Sequence, residues 1–239
     1  MSDLRTRLSR RIGRLLRLNR ALRDGTRDRR NRSPMLAPLQ RWQAARLARG
    51  FDDLLADPRS APAARFFLSD LYGDHDVSAR DRDIEKVMPL MQRLLSPAML
   101  AIAADALELE VLSHALDLRM AAALEGDGLG AGAPIDAARY ADAYRRVGHA
   151  RLRTRQIEQI ERTGGGLAEV VDTPKVAQLL RLARLPARAA GLLQLQSFLE
   201  RGFTAFGQLP DAHAFVDTIV ARERHVMRRL FESHPQPFD

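Results

Sequence analysis

The chain has 239 residues, of which 46% are hydrophobic and 28% are charged, and it contains no cysteine. That balance is typical of a globular protein with enough chain to bury a core, and it excludes a wholly disordered chain, a collagen-like fibre and an integral membrane bundle. The lack of cysteine excludes disulfide frameworks, thiolate zinc sites and a cysteine nucleophile.

The positive charge is concentrated at the N-terminus. Residues 1–32 hold twelve arginines and three aspartates, a net charge of +9, whereas the rest of the chain is near neutral at about −1. Aliphatic residues recur between these arginines at helical spacing, which predicts a basic amphipathic helix. Residues 24–34 lack aliphatic and aromatic side chains and are expected to form a flexible linker.

This basic arm, residues 1–33, allows three interpretations. It could dock on the body of the protein or on a second copy, bind an anionic partner such as nucleic acid or an anionic membrane surface, or be a disordered or wrongly assigned start. The first is favoured. The candidate anion contacts of the arm are Arg7, Arg10, Arg11, Arg14 and Arg17.

Beyond the arm, the pattern predicts one helix after another. A first helix is expected over 35–56, and Ser60 with Pro62 predicts the start of a short helix that ends at Gly73. A capping-box pattern at 78–81 predicts a further helix over 84–95, kinked or split at Pro89. Residues 98–124 are apolar nearly all round, which predicts a buried central helix, and their charged residues argue against a membrane span.

The second half begins with a Gly-rich loop over 125–134, after which Asp136 is expected to cap a long helix that continues past Ile160. The glycines at 164–166 predict a break, a hinge or a close helix crossing. Further helices are expected from Pro174 to about Pro186, over 192–206, and from 211 to about 230.

The predicted fold class is therefore all-α, with a single multi-helix, bundle-like domain of about eight helices and a basic N-terminal arm. The domain covers 34–233, and 234–239 is a loose tail. A split at the Gly-rich loop is the alternative. No fixed-period repeat is visible, which disfavours a solenoid.

Motifs for catalysis and cofactor binding are missing from the sequence. There is no phosphate-binding loop, no nucleophile elbow and no Glu-x-x-His pair. Glu110 and His114 stand one helical turn apart, but a buried ion-paired histidine explains them better than a metal. The doublet His75-Asp76 lacks the upstream histidine that a helical phosphohydrolase needs. We expect no catalytic residue, no metal and no cofactor.

Polar residues stand directly beside apolar ones at four places, and two interpretations remain open. The favoured one is that they form interhelical salt bridges; the other is that several converge on an anionic or amphipathic ligand in an interhelical pocket. With the neighbouring aromatic residues, the candidate pocket residues are Phe66, Phe67, Tyr72, Arg80, Asp81, Tyr140, Tyr144, Gln156, Phe198, Glu200, Arg201, Phe203, Arg222 and Glu223.

The run FFLSDLYG at 66–73 resembles the motif of a bacterial family of uncharacterised proteins, the FFLEELY-motif proteins, with serine and aspartate in place of two glutamates. Further matches are Arg80-Asp81, Pro89, YADAYR at 140–145, Gln156, LPAR at 185–188, LQSFLERGFTAF at 195–206 and Arg222-Glu223. The resemblance covers about 40–231, leaves out the arm, and implies one body rather than two domains. It implies no activity or cofactor.

Two classes of function follow. The first is a non-enzymatic, cytoplasmic interaction, scaffold or regulatory protein, a homodimer or bound to a protein partner, with the arm aiding attachment and no transmembrane segment. The second is a small-molecule binding protein or enzyme with an interhelical pocket. Attachment of the arm to nucleic acid or an anionic membrane is a weaker alternative, because the near-neutral body lacks a broad basic face.

Overall fold

The structure is a computed structural model that describes residues 2–71, 96–126, 134–171, 173–189 and 193–239. These residues form helices and connecting turns, with no strand among them, so the protein is all-α as predicted. The described part holds ten α-helices: α1 (Ser2–Arg23), α2 (Leu36–Gly50), α3 (Asp52–Ala56), α4 (Ala61–Phe66), α5 (Pro97–Gly126), α6 (Ala137–Val147), α7 (Ala150–Val171), α8 (Pro174–Ala189), α9 (Leu193–Phe206) and α10 (Ala212–Phe231).

Helix α5 is the centre of the described structure, because α1, α2, α6 and α7 all pack against it. The predicted central helix is thus confirmed, and its buried side chains, such as Leu100, Leu116 and Leu124, point to several sides of the helix. Within the described residues, no helix is both long enough and apolar enough to cross a membrane.

In the described part of the chain, buried side chains form three core clusters. The Phe51 cluster joins α2 and α4 to α7, α9 and α10 through residues such as Phe66 and Ile160. The Tyr140 cluster joins α2, the end of α5, α6 and Leu230. The Ile12 cluster holds α1 on the first half of α5. Each cluster combines helices from distant parts of the sequence, so the core is built by tertiary packing.

Two helix boundaries in the second half differ from the prediction. The long helix expected after Asp136 is two helices, since the chain turns at Gly148, whose φ of +63° favours glycine. Asp136 itself caps α6, as predicted, by accepting a hydrogen bond from the Arg139 amide at 2.8 Å. Helix α7 then runs without interruption through 164–166, so the predicted break or hinge there is wrong and the close-crossing interpretation is right.

Smaller corrections concern three other places. The helix expected over 35–56 is divided at Phe51 into α2 and α3. The Ser60 hydroxyl donates a hydrogen bond to the Leu54 carbonyl at 2.7 Å instead of capping α4, and a π-helical turn (Phe67–Leu71) follows that helix. Helix α8 continues past Pro186 to Ala189. The expected helix over 84–95, the kink at Pro89 and the loop at 127–133 lie outside the described residues.

Both ends of the chain pack on the helical body. The stretch expected as a linker contains a 3₁₀ turn (Arg29–Arg32), and the side-chain oxygen of Asn31 lies 2.9 Å from Nε2 of His114 on α5. The stretch expected as a tail brings the Phe238 ring to 5.5 Å from the Trp42 ring, measured between centroids. The segments before and after the predicted domain are therefore in contact with it.

Candidate functional site

The predicted aromatic pocket residues lie in two different core clusters. Phe66 and Phe67 belong to the Phe51 cluster, whereas Tyr140 and Tyr144 belong to the Tyr140 cluster. Phe203 is half-buried on α9. Phe66 and Phe67 therefore fill a different layer between helices from Tyr140 and Tyr144. Of the remaining aromatic residues, Phe198 lies on α9 and Tyr72 lies outside the described residues.

Among the described residues, the predicted polar side chains do not meet at a common point, and most of them make contacts between helices. On α10, Arg222 donates to both oxygens of Asp53 at 2.6 and 2.7 Å, and Glu223 accepts two hydrogen bonds from Arg46 at 2.5 and 3.0 Å. These two pairs tie α10 to the beginning of the body, across about 170 residues of chain.

The other polar candidates are also spread over the fold. On α9, Glu200 accepts a hydrogen bond from Arg184 of α8 at 2.5 Å, and Arg201 is exposed. On α7, the Gln156 amide donates to the Ser113 hydroxyl of α5 at 2.8 Å. Arg80 and Asp81 lie outside the described residues. Arg222, Glu223, Glu200 and Gln156 therefore link pairs of helices, through salt bridges and hydrogen bonds that set helix register.

His114 of α5 is buried, and its contacts are structural. Its Nε2 lies 2.9 Å from the side-chain oxygen of Asn31, which belongs to the 3₁₀ turn after α1. Burial and the nearby charge of Arg23 lower the pKa of His114 to about 4, so the ring is neutral at neutral pH. Glu110, one turn earlier, accepts from Asn19 at 3.0 Å and from Arg23 at 3.2 Å. Across the described residues, no group of three or more His, Asp and Glu side chains is placed to hold a metal ion.

Helix α1 docks on α5 through one side. Ile12, Leu15 and Leu16 are buried against α5 side chains such as Leu107. Beside this apolar contact, Arg11 donates to Asp105 at 2.6 Å and also contacts Glu108. Burial of the aliphatic residues drives this contact, and the ion pairs at its border fix the register of the two helices.

The opposite side of α1 is a row of arginines. Arg7 and Arg14 are seven residues apart, as are Arg10 and Arg17, so all four lie along the same side of the helix. All four are exposed. Arg7 forms an exposed ion pair with Asp3 at 2.8 Å, and in the described structure the other three guanidiniums contact no carboxylate. We call Arg7, Arg10, Arg14 and Arg17 the outer arginine face; Arg11, the fifth predicted contact, belongs to the docked side.

A polar cluster that the sequence analysis missed lies around the Tyr140 cluster. The Asp117 carboxylate of α5 accepts from the Gln43 amide at 3.1 Å, and the same amide nitrogen lies 3.5 Å from the Tyr140 hydroxyl. Burial raises the pKa of Asp117. Arg153 of α7 lies nearby, with its Cζ 4.2 Å from the centroid of the Tyr144 ring.

One sequence signal for this cluster was available. Arg153 precedes Ile157 and Ile160 by four and seven residues, so it occupies the same apolar side of α7 as these two isoleucines. An arginine at such a position is predicted to be buried, and a buried arginine needs an acceptor. Its surroundings could not be read from the sequence, because they come from α5 and α6.

Most of the chain matches the model of a known protein family. Residues 22–237 match the model of a domain of unknown function, DUF8198. The chain belongs to this family. The match begins at the end of α1, so the outer arginine face lies outside the family domain. No curated protein and no solved structure matches the chain.

Proposed function

We propose that this DUF8198 protein is a non-enzymatic interaction protein, and that the outer arginine face attaches it to an acidic surface of a protein partner. The observation that carries the proposal is the division of α1 into two sides. One side is buried on α5, and the other presents four exposed arginines over about 15 Å of helix. Guanidinium groups bind carboxylates bidentately, which suits such a surface to an acidic partner.

The same division argues against the two other anionic partners. A helix that lies on a membrane must insert its apolar side among the lipids, and the apolar side of α1 is already buried on α5. A nucleic acid presents phosphates over a long surface, whereas the chain beyond residue 32 has a net charge of about −1. A single row of arginines is better matched by a local acidic patch.

The polar contacts described above support a non-enzymatic role. Most of the described polar candidates, among them Glu223 and Arg222, are engaged with side chains of other helices. Residues held in this way stabilise the arrangement of the helices, and a reacting group would need to be open to a substrate.

The test compares two variants of equal charge. In the first, Arg7, Arg10, Arg14 and Arg17 are changed to Gln; in the second, four exposed arginines elsewhere, Arg41, Arg151, Arg162 and Arg181, are changed to Gln. Binding of the full chain to a polyglutamate peptide, to a 20-base-pair DNA duplex and to vesicles containing phosphatidylserine is measured as a function of salt.

We expect polyglutamate binding to be lost in the first variant and kept in the second. Equal loss in both variants would show that only net charge matters and would contradict the proposal. Tighter binding to DNA than to polyglutamate, with log affinity falling against log salt concentration at a slope near −3.6 for about four phosphates, would identify the partner as a nucleic acid instead of an acidic protein. Binding to vesicles alone would identify the partner as a membrane.

We also infer that the protein is a cytoplasmic homodimer of bacterial origin. The bacterial origin rests on the resemblance of 66–73 to the FFLEELY motif. Self-association is supported by exposed leucines on α8: Leu182 is 66% exposed and Leu185 is 79% exposed. Sedimentation velocity of the wild-type chain and of a Leu182→Gln, Leu185→Gln variant tests the dimer, and a wild-type monomer at all concentrations would contradict it.

A further inference from the structure

Arg153 is a buried arginine whose guanidinium is not satisfied by the protein. The residue is 4% exposed, and its Nε and Nη2 are buried and have no hydrogen-bond partner. The guanidinium Cζ lies over the Tyr144 ring, at 4.2 Å from the ring centroid. A ring contact of this kind stabilises the cation but accepts no in-plane hydrogen bond. Burying N–H groups of a cation without an acceptor is strongly unfavourable.

The two unsatisfied nitrogens share one edge of the guanidinium. Nε and Nη2 point their N–H groups in the same direction, as a fork with the spacing of two oxygens on one carbon or phosphorus atom. This is the geometry through which arginine binds carboxylate and phosphate groups bidentately. A single water molecule would satisfy such an edge less well, because it offers one oxygen to two parallel donors.

The protein carboxylates around Arg153 are engaged by other donors. Asp117 accepts from Gln43 at 3.1 Å and from Gln40 at 3.5 Å, and Glu223 is held by Arg46 through two hydrogen bonds. The described carboxylates form no ion pair with Arg153. Burial raises the pKa of Asp117 and the charge of Arg153 lowers it, so the two groups are neighbours without being bonded.

We propose that Arg153 binds a small oxyanion, the carboxylate or phosphate group of a metabolite, through Nε and Nη2 in a site between α5, α6 and α7. Tyr144 contacts the guanidinium through its ring, and the Gln43–Asp117 pair forms the polar border of the site. Because Arg153 is almost fully buried, the bound group is small or is the end of a longer molecule. This site is separate from the outer arginine face, so either proposal can fail alone.

The test uses acetate and inorganic phosphate as probes. Unfolding of the full chain is followed by thermal denaturation at constant ionic strength, while chloride is replaced by each probe. A ligand that binds only the folded state stabilises it by RT ln(1 + L/Kd), where L is the probe concentration, so the midpoint rises with the logarithm of the probe concentration above Kd, and a fit of this curve gives Kd. We expect this logarithmic rise with at least one probe, and a Kd at least tenfold weaker in Arg153→Gln and in Arg153→Lys. Lysine keeps the charge but lacks the fork, so it separates bidentate binding from simple attraction.

Arg151→Gln is the matched control, because Arg151 lies exposed on the same helix. It should leave Kd unchanged. A logarithmic rise with acetate alone assigns a carboxylate, and one with phosphate alone assigns a phosphate; both outcomes support the site. A midpoint that changes linearly with probe concentration, and equally in wild type and Arg153→Lys, would reduce the response to a general salt effect and overturn the proposal. If Arg153→Gln does not fold, Arg153→Lys and native mass spectrometry of the wild-type chain with each probe still decide the question.

Discussion

The three consecutive glycines in α7 allow a sharp test of the helix packing. A Cβ atom added at Gly166 would lie 2.5 Å from Cγ1 of Ile102, and one added at Gly164 would lie 2.7 Å from Cγ2 of Val216. A Cβ added at Gly165 would have no neighbour within 4 Å. Ile102 is on α5 and Val216 is on α10, so two of the glycines mark close crossings and the middle one does not.

The magnitudes follow from two opposing effects. Gly→Ala in a helix interior stabilises by about 0.5–1 kcal/mol, since alanine loses less backbone entropy on folding. Overpacking a core costs about 1–3 kcal/mol, and isoleucine and valine move aside poorly because their χ1 angles are restricted. We therefore expect Gly165→Ala to raise the free energy of unfolding by up to about 1 kcal/mol. The free energies of unfolding of Gly164→Ala and Gly166→Ala should each be about 1–3 kcal/mol lower than that of Gly165→Ala.

Urea denaturation followed by circular dichroism measures all three variants under the same conditions. The comparison within one turn of one helix cancels differences in local helix propensity. If all three alanine variants were stabilised equally, α7 would not cross α5 and α10 at these residues, and the packing argument would be refuted. A change in the urea m-value would instead indicate loss of two-state unfolding.

Two further predictions concern α1 and His114. Ile12 is 0% exposed in the contact with α5, so Ile12→Ala should lower the free energy of unfolding, measured by urea denaturation, by about 2–5 kcal/mol. Leu18 is 48% exposed, so Leu18→Ala should change it by less than about 0.5 kcal/mol. Equal effects of the two substitutions would mean that α1 is not docked on α5. The pKa of His114 falls from 6.5 in the unfolded chain to about 4 in the fold, so the unfolded state binds the extra proton. Stability should therefore decrease by up to about 3 kcal/mol as the pH falls from 6.5 towards 4. His114→Gln should reduce this dependence of stability on pH, and an unchanged pH dependence would contradict the lowered pKa of His114.

Local sequence patterns predicted the helices well where they contain their own signals. The apolar run of α5 and the Asp136 cap of α6 are both confirmed. They could be predicted because a cap or a hydrophobic face involves residues within one or two turns. The glycines in α7 misled the prediction, since their helical conformation depends on α5 and α10 rather than on their own propensity.

The candidate site was less predictable than the fold. The sequence identified Tyr140 and Tyr144 but combined them with rings that lie in another cluster, and it did not single out Arg153. Which polar groups meet depends on the rotation of each helix about its axis and on its neighbours. Neither the rotation of a helix nor the identity of its neighbours can be read from the spacing of residues within one or two helical turns.

By itself, the sequence determined that the protein is all-α, that its net positive charge is carried by residues 1–32, and that cysteine chemistry is excluded. These properties follow from composition and from periodicity along a single helix. Only the tertiary structure decided that α1 buries its apolar side on α5, that the outer arginine face remains exposed, and that Arg153 is buried without a hydrogen-bond acceptor. Each of these depends on which surfaces of distant helices come into contact, and that is settled by packing of the whole chain.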